Sequence, residues 1–148
     1  MLRTIGAVVV SYIALFIIVF VLFTCIYLAL GASGAFRAGT YEVSPLWLVI
    51  TIVVSLASAI AGGFIAAWIG KSKTAVYGLA GLVFVLGILS AIPALKDTTP
   101  PETRTADVGN MEAMMHAREP VWIALLNPVL GVVGVVIGGG LKKPSAAE

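Results

Sequence analysis

Charged side chains are absent from four long stretches of the chain: Thr4 to Phe36, Val43 to Gly70, Thr74 to Leu95 and Pro120 to Leu141. A helix rises 1.5 Å per residue, so about 20 apolar residues cross a hydrocarbon core of about 30 Å. The pattern predicts an all-α membrane protein made of one domain, residues 1–148. Four transmembrane helices, at about 4–30, 45–70, 74–95 and 120–141, would form an antiparallel bundle. Polar positions interrupt the pattern in three places. Lys71-Ser72-Lys73 is so short that it predicts a tight hairpin between the second and third spans. The longer links, residues 31–44 and 96–119, then lie together on the opposite face.

The span starts carry a shared signature, Ser44-Pro45-Leu46-Trp47 and Glu119-Pro120-Val121-Trp122. Proline suits the first helical position, where its missing N–H has no intrahelical acceptor. Ser44 and Glu119 then stand where an oxygen can approach free N–H groups or the positive end of the helix dipole. Trp47 and Trp122 are expected at one headgroup layer and Trp68 at the other. The offset between Pro45 and Pro120 admits a duplicated hairpin, although any helix re-entering a membrane favours proline followed by tryptophan at its start. The apolar run Ile5 to Leu30 exceeds the 7 to 15 residues of a signal-peptide core, so it is expected to be retained as a span.

Within the spans, small and polar residues recur at helical spacing. Asn127, Gly131, Gly134 and Gly138 share one stripe of the fourth span, and Gly134 and Gly138 form a GxxxG. Thr51, Ser55, Ser58, Ala59, Gly62 and Ala66 make a matching stripe on the second, and Gly78 and Gly81 smooth the start of the third. In lipid, helices associate through close backbone approach at small residues and through interhelical hydrogen bonds. Ser55, Ser58, Gly62, Asn127, Gly131, Gly134 and Gly138 are therefore the expected helix-packing set, with Asn127 placed to bridge to Ser55, Ser58 or a carbonyl freed by Pro128. In the first span Tyr12, Phe16, Phe20, Phe23 and Tyr27 form an aromatic ridge, opposite Ser11, Ala14, Cys25 and Ala29. The small face is expected inward and the ridge outward, against lipid, a partner or a flat apolar ligand.

The longer link adds a second candidate surface. Thr98-Thr99-Pro100-Pro101-Glu102 reads as irregular chain. Residues 107–119 then show a short amphipathic helical pattern, with Met111, Met114, Met115 and the Arg118 stem on one face and Glu112, His116 and Glu119 on the other. Such a helix is suited to lie on the membrane surface. Methionine and histidine are also copper ligands, but His116 projects away from the methionines and the chain has no second histidine. No metal or cofactor is expected.

Composition sharpens this picture. Sixty per cent of residues are hydrophobic, 11% are charged and the mean hydropathy is +1.09. An average soluble domain carries about 25% charged residues. The net charge of +2 is scattered over loop ends and offers no nucleic-acid patch. Cys25 is the single cysteine, so no intrachain disulfide forms. Basic residues set the orientation. Arg3, Lys71, Lys73, Lys142 and Lys143 crowd short segments on one face, against Arg37, Lys96, Arg104 and Arg118 on the other. The termini are expected in the cytoplasm and the links outside an inner cell membrane.

No Asp, Glu, Lys, Arg or His lies within the four spans, whereas proton relays and ion-coupled pumps need such groups. Nucleophile, metal and phosphate motifs are likewise absent from the sequence. The expectation is a non-enzymatic membrane protein of structural or accessory type. It would pack against itself or a larger membrane protein through Tyr12, Phe16, Phe20, Phe23, Tyr27, Met111, Met114 and Met115. The rival expectation is a small oligomeric pore, or holin-like protein, lined by Thr51, Ser55, Ser58 and Asn127.

Overall fold

The computed structural model describes residues 2–98, 100, 102–104 and 106–142. Over these the chain is helical, with α1 at Leu2–Ala35, α2 at Pro45–Gly70, α3 at Lys73–Lys96, α4 at Asn110–His116 and α5 at Val121–Leu141. All but α4 are long and apolar enough to cross a membrane. Lys143, Thr99 and Pro101 lie outside the described residues.

Local chemistry fixes the helix ends. Gly31 interrupts α1 with φ 66° and ψ 179°, a left-handed excursion that turns the chain into the first link. Ser44 caps α2. Its Oγ accepts the Trp47 N–H at 3.1 Å and donates to the Gly34 carbonyl at 2.6 Å, so one hydroxyl ties two helices. Lys71 takes the left-handed conformation and Ser72 Oγ accepts the Ala75 N–H, closing the α2–α3 turn. The start of α5 differs from expectation. Pro120 is the cap rather than the first helical residue, with ψ 142°, and its carbonyl accepts from Ile123 and Ala124. Glu119 makes no cap bond and is left to face elsewhere.

The packing is built on α5. Along one flank, Gly134 meets Ala59, Gly138 lies against the Ile60 carbonyl, and Gly63 of α2 receives the Val135 carbonyl. On its other flank Gly131 faces Val83, Gly139 faces Val76, and Pro128 fills the space beside Gly87 of α3. Pro128 is fully buried and α5 continues through it. Backbone approach this close is available only to residues without a Cβ in the way. Gly62 faces Leu15 of α1, not α5. Leu79 and Val135 close the centre with no exposed surface. We call the end holding the N-terminus and the α2–α3 turn the terminal end, and the opposite one the link end.

The position of α1 is less symmetrical. It leans on α2 and touches α3 where Val8 meets Gly78 near the terminal end. Among the described residues it has no Cα within 8 Å of α5. The expected small-in, aromatic-out assignment holds only near the terminal end, where Ser11 is buried and Phe16 is 61% exposed. Towards the link end it reverses. Tyr27 is 5% exposed, Phe23 packs on Trp47, and Cys25 and Ala29 face outward. The cause is the protein's own link, which lies on the aromatic face and covers it.

Candidate functional site: a chamber beneath the link-end cap

The two links fold onto each other as a cap held by backbone bonds. The Arg37 N–H donates to the Glu42 carbonyl, Arg104 to Gly39, Val43 to Arg118, and Arg118 to Tyr41. Aromatic rings fasten this cap to the membrane helices. Phe23 and Trp47 lie 5.6 Å apart, Trp47 and Tyr27 6.2 Å, Tyr27 and Phe36 6.4 Å, and Phe36 and Tyr41 5.7 Å. His116 continues the series at 5.1 Å from Tyr41, and Arg104 lies over the Phe36 ring. Such ring pairs contribute about 0.5–1.5 kcal/mol each beyond their burial. The Tyr27 hydroxyl donates to the Val108 carbonyl at 2.6 Å and the Asn110 amide to Thr24 Oγ1 at 3.3 Å.

The short helix α4 turns Ala113 into the cap and leaves Met111, Met114 and Met115 exposed. Glu112 and His116, one helical turn apart, take different side-chain partners. The Glu112 carboxylate accepts from the Tyr41 hydroxyl at 2.9 Å, which pushes the phenol above its usual range. His116 instead holds the Glu112 backbone carbonyl and approaches Glu102. Among the described residues no three His, Cys, Asp or Glu side chains gather as a metal site.

Under the cap the helices leave room. A chamber of about 480 Å³ lies between all four spans, walled by Tyr12, Leu15, Phe16, Val19 and Phe23 of α1, by Val83, Leu86 and Gly87 of α3, and by Thr51, Ser55, Asn127 and Pro128. A recess of about 250 Å³ adjoins it between α1 and α4, reaching Phe20, Trp47 and Met114. A third cavity, a cleft of about 730 Å³ between the ends of α3 and α5, holds Arg37, Glu42, Asp97 and Arg118. Phe16, Val19 and Phe23 line both chamber and recess, while Ser90 and Ala124 line both chamber and cleft.

Glu119 lines all three cavities. Loss of water around it raises its carboxyl above the usual carboxylate range. Among the described residues the carboxyl has no hydrogen-bond or ion-pair partner. The charged groups of the cleft are engaged elsewhere: Arg118 with Asp97 at 3.2 Å and Arg37 with Glu42 at 3.9 Å. Two more groups lack partners at the chamber wall, Thr51 Oγ1 and Asn127 Oδ1. The bridge expected from Asn127 to Ser55 or Ser58 is absent, and the Ser58 hydroxyl is itself buried without a partner.

The sequence-derived candidates therefore divide. Gly134 and Gly138 lie on α2, Gly131 on α3, and Gly62 and Leu15 join α2 to α1. Ser55, Asn127, Tyr12, Phe16 and Phe23 meet at the chamber, whereas Tyr27 is absorbed into the cap. Met111 and Met115 remain on the surface. Glu119 was missed as a site residue because its neighbours suggested a capping role. The usable signal was an acidic residue one position before an apolar span that its own proline makes it too early to cap. Comparison with protein-family models, with curated proteins and with solved structures finds no match to this chain.

Proposed function

We propose that this is a multi-pass accessory protein of a cell membrane, an antiparallel four-span bundle that docks another membrane protein, a second copy included, at its link end. The observation that carries this reading is the recess. Phe16 and Phe20 of α1 and Met114 of α4 are distant in sequence yet line one apolar hollow that opens beside the cap. Aromatic and methionine side chains at such a hollow adapt to an inserted apolar side chain. Mild-detergent extraction followed by native mass spectrometry should show a stoichiometric protein partner or a dimer. Met114→Glu should release it without lowering thermal stability. A strictly monomeric wild type sinks the proposal.

The proposed orientation, with termini and α2–α3 turn in the cytoplasm, draws support from ion pairing. On the link side Arg37, Arg104 and Arg118 each face a carboxylate. On the terminal side Arg3 and Lys142 donate to the Ile69 and Trp68 carbonyls at the end of α2, leaving their charge to anionic headgroups. In a Cys25→Ser background, Lys73→Cys should react with an impermeant thiol reagent only after lysis, and Thr103→Cys in intact cells. The reverse pattern inverts the topology.

A pore is less well supported. The chamber offers the polar lining, but Leu79 and Val135 fill the bundle below it. Conduction would require several copies, and tight reconstituted vesicles would exclude it.

A further inference from the structure

We propose that the chamber is a binding site for a lipophilic organic monocation, an ammonium- or phosphonium-type centre on an apolar body, with the Glu119 carboxylate as its counter-ion. Three observations converge. The chamber, at about 480 Å³, lies within the range of about 300–1,000 Å³ typical of small-molecule sites. Its walls are apolar and aromatic, and the faces of Tyr12, Phe16 and Phe23 attract a cation that has shed its water. Among the described residues Glu119 is the only carboxylate lining the chamber and the recess, and no Lys, Arg or His lines either. A desolvated carboxylate without a partner calls for a reason, and a bound cation supplies one for Glu119.

Access follows from the neighbouring cavities. The recess shares Phe16, Val19 and Phe23 with the chamber wall, so rotation of these side chains is the expected route for an apolar body from the side of the bundle facing lipid. The cleft shares Ser90 and Ala124 with the chamber wall and places Glu119 beside the water outside the cap. An anion of the same shape meets the carboxylate and no positive group. A neutral body loses the ion pair.

Protonation of Glu119 competes with the cation. Around this carboxyl, Arg37 and Glu42 come from the first link, Asp97 from the end of α3, Arg118 from the second link, and Tyr12 from α1; α2 contributes only hydroxyls. The arginines face their own carboxylates. Glu119 is thus the group whose protonation removes charge from the chamber, and binding should weaken as pH falls.

The test uses the full chain in nanodiscs and three probes of similar shape: tetraphenylphosphonium, tetraphenylborate and triphenylphosphine oxide. Binding is followed by calorimetry and by quenching of tryptophan fluorescence, since Trp47 lines the adjoining recess. Saturable binding of the phosphonium is expected, with neither the borate nor the neutral oxide matching it. Glu119→Gln, which keeps the shape of the side chain, should weaken phosphonium binding by about tenfold or more, the scale of one desolvated charge contact. Glu119→Asp should retain part of it. Ser55→Leu, which fills the chamber from α2, should abolish it while Glu119 remains. Lowering the pH from 7.5 to 5 should weaken binding in the wild type but not in Glu119→Gln. Equal binding of all three probes, unchanged affinity in Glu119→Gln, or a wild type that binds none of them overturns the proposal.

Discussion

The seam between α2, α5 and α3 and the aromatic cap above it solve the same problem with opposite materials. In the seam, glycine lets backbone meet backbone: Gly138 rests on the Ile60 carbonyl, and Gly63 on that of Val135. Nothing larger than a hydrogen fits at those points. At the link end, rings of Phe23, Tyr27, Phe36, Tyr41 and Trp47 meet at 5.6–6.4 Å between neighbouring centroids. Large rigid plates hold helices apart as well as together. The difference teaches why the cavities lie where they do. Small residues bring α2, α3 and α5 into close contact, while α1, which has no Cα within 8 Å of α5, stands off and leaves the chamber between them.

The sharpest way to break this contrast is a pair of glycines two residues apart. A Cβ at Gly138 would fall on the backbone of Ile60, whereas one at Gly140 meets nothing within 4 Å. Overpacking a core costs about 1–3 kcal/mol and occasionally more, so Gly138→Leu should lower stability in detergent by about 3 kcal/mol. Gly140→Leu should be almost silent. Equal unfolding temperatures for the two variants would show that α5 does not pack by this face.

Next in size comes the cap. Tyr27→Phe removes the bond to the Val108 carbonyl and leaves the ring stack intact. A cost of about 1 kcal/mol is expected, with faster proteolysis in the second link and an unchanged seam. Protection of the link equal to that of the wild type would mean that ring packing alone holds the cap.

A smaller effect separates the chamber from both regions. Glu119 has a raised carboxyl because burial penalises its charged form. The folded state therefore binds a proton more tightly than the unfolded one, and stability must increase as pH falls from neutrality towards the carboxylate range. Glu119→Gln should remove that slope and be at least as stable as the wild type at pH 7. Thermal unfolding between pH 7.5 and 5 reads it directly, and a slope that persists in the variant assigns the effect to another group. The smallest changes are expected at exposed side chains. Phe20→Leu on the outward face of α1 and Glu42→Gln at an exposed ion pair should each stay within about 0.5 kcal/mol.

The two proline starts show where reading along the chain stops. Ser44-Pro45 and Glu119-Pro120 look alike, yet Ser44 caps α2 and Glu119 caps nothing. A serine hydroxyl two bonds from the backbone reaches the Trp47 N–H. The glutamate is longer, and α5 begins one residue later than the pattern implies, so its carboxyl lies among the cavities. The aromatic ridge of α1 gives the same lesson. Its periodicity is visible in the sequence, but which half faces lipid depends on where the second link comes to rest.

What the sequence determined by itself is what length and local periodicity encode. Four apolar runs free of charge can satisfy their backbone in lipid only as helices. The short Lys71-Ser72-Lys73 turn makes neighbours of α2 and α3, and glycine spacing marks the faces capable of close approach. What only the tertiary structure decided depends on residues far apart in the chain. The reversal of the ridge near Tyr27, the placing of Thr51 and Asn127 in one cavity wall, and the position of Glu119 in the lining of three cavities each require several elements to be placed at once. Periodicity specifies the face a side chain occupies on its own helix, whereas its surroundings are set by the packing of all the others.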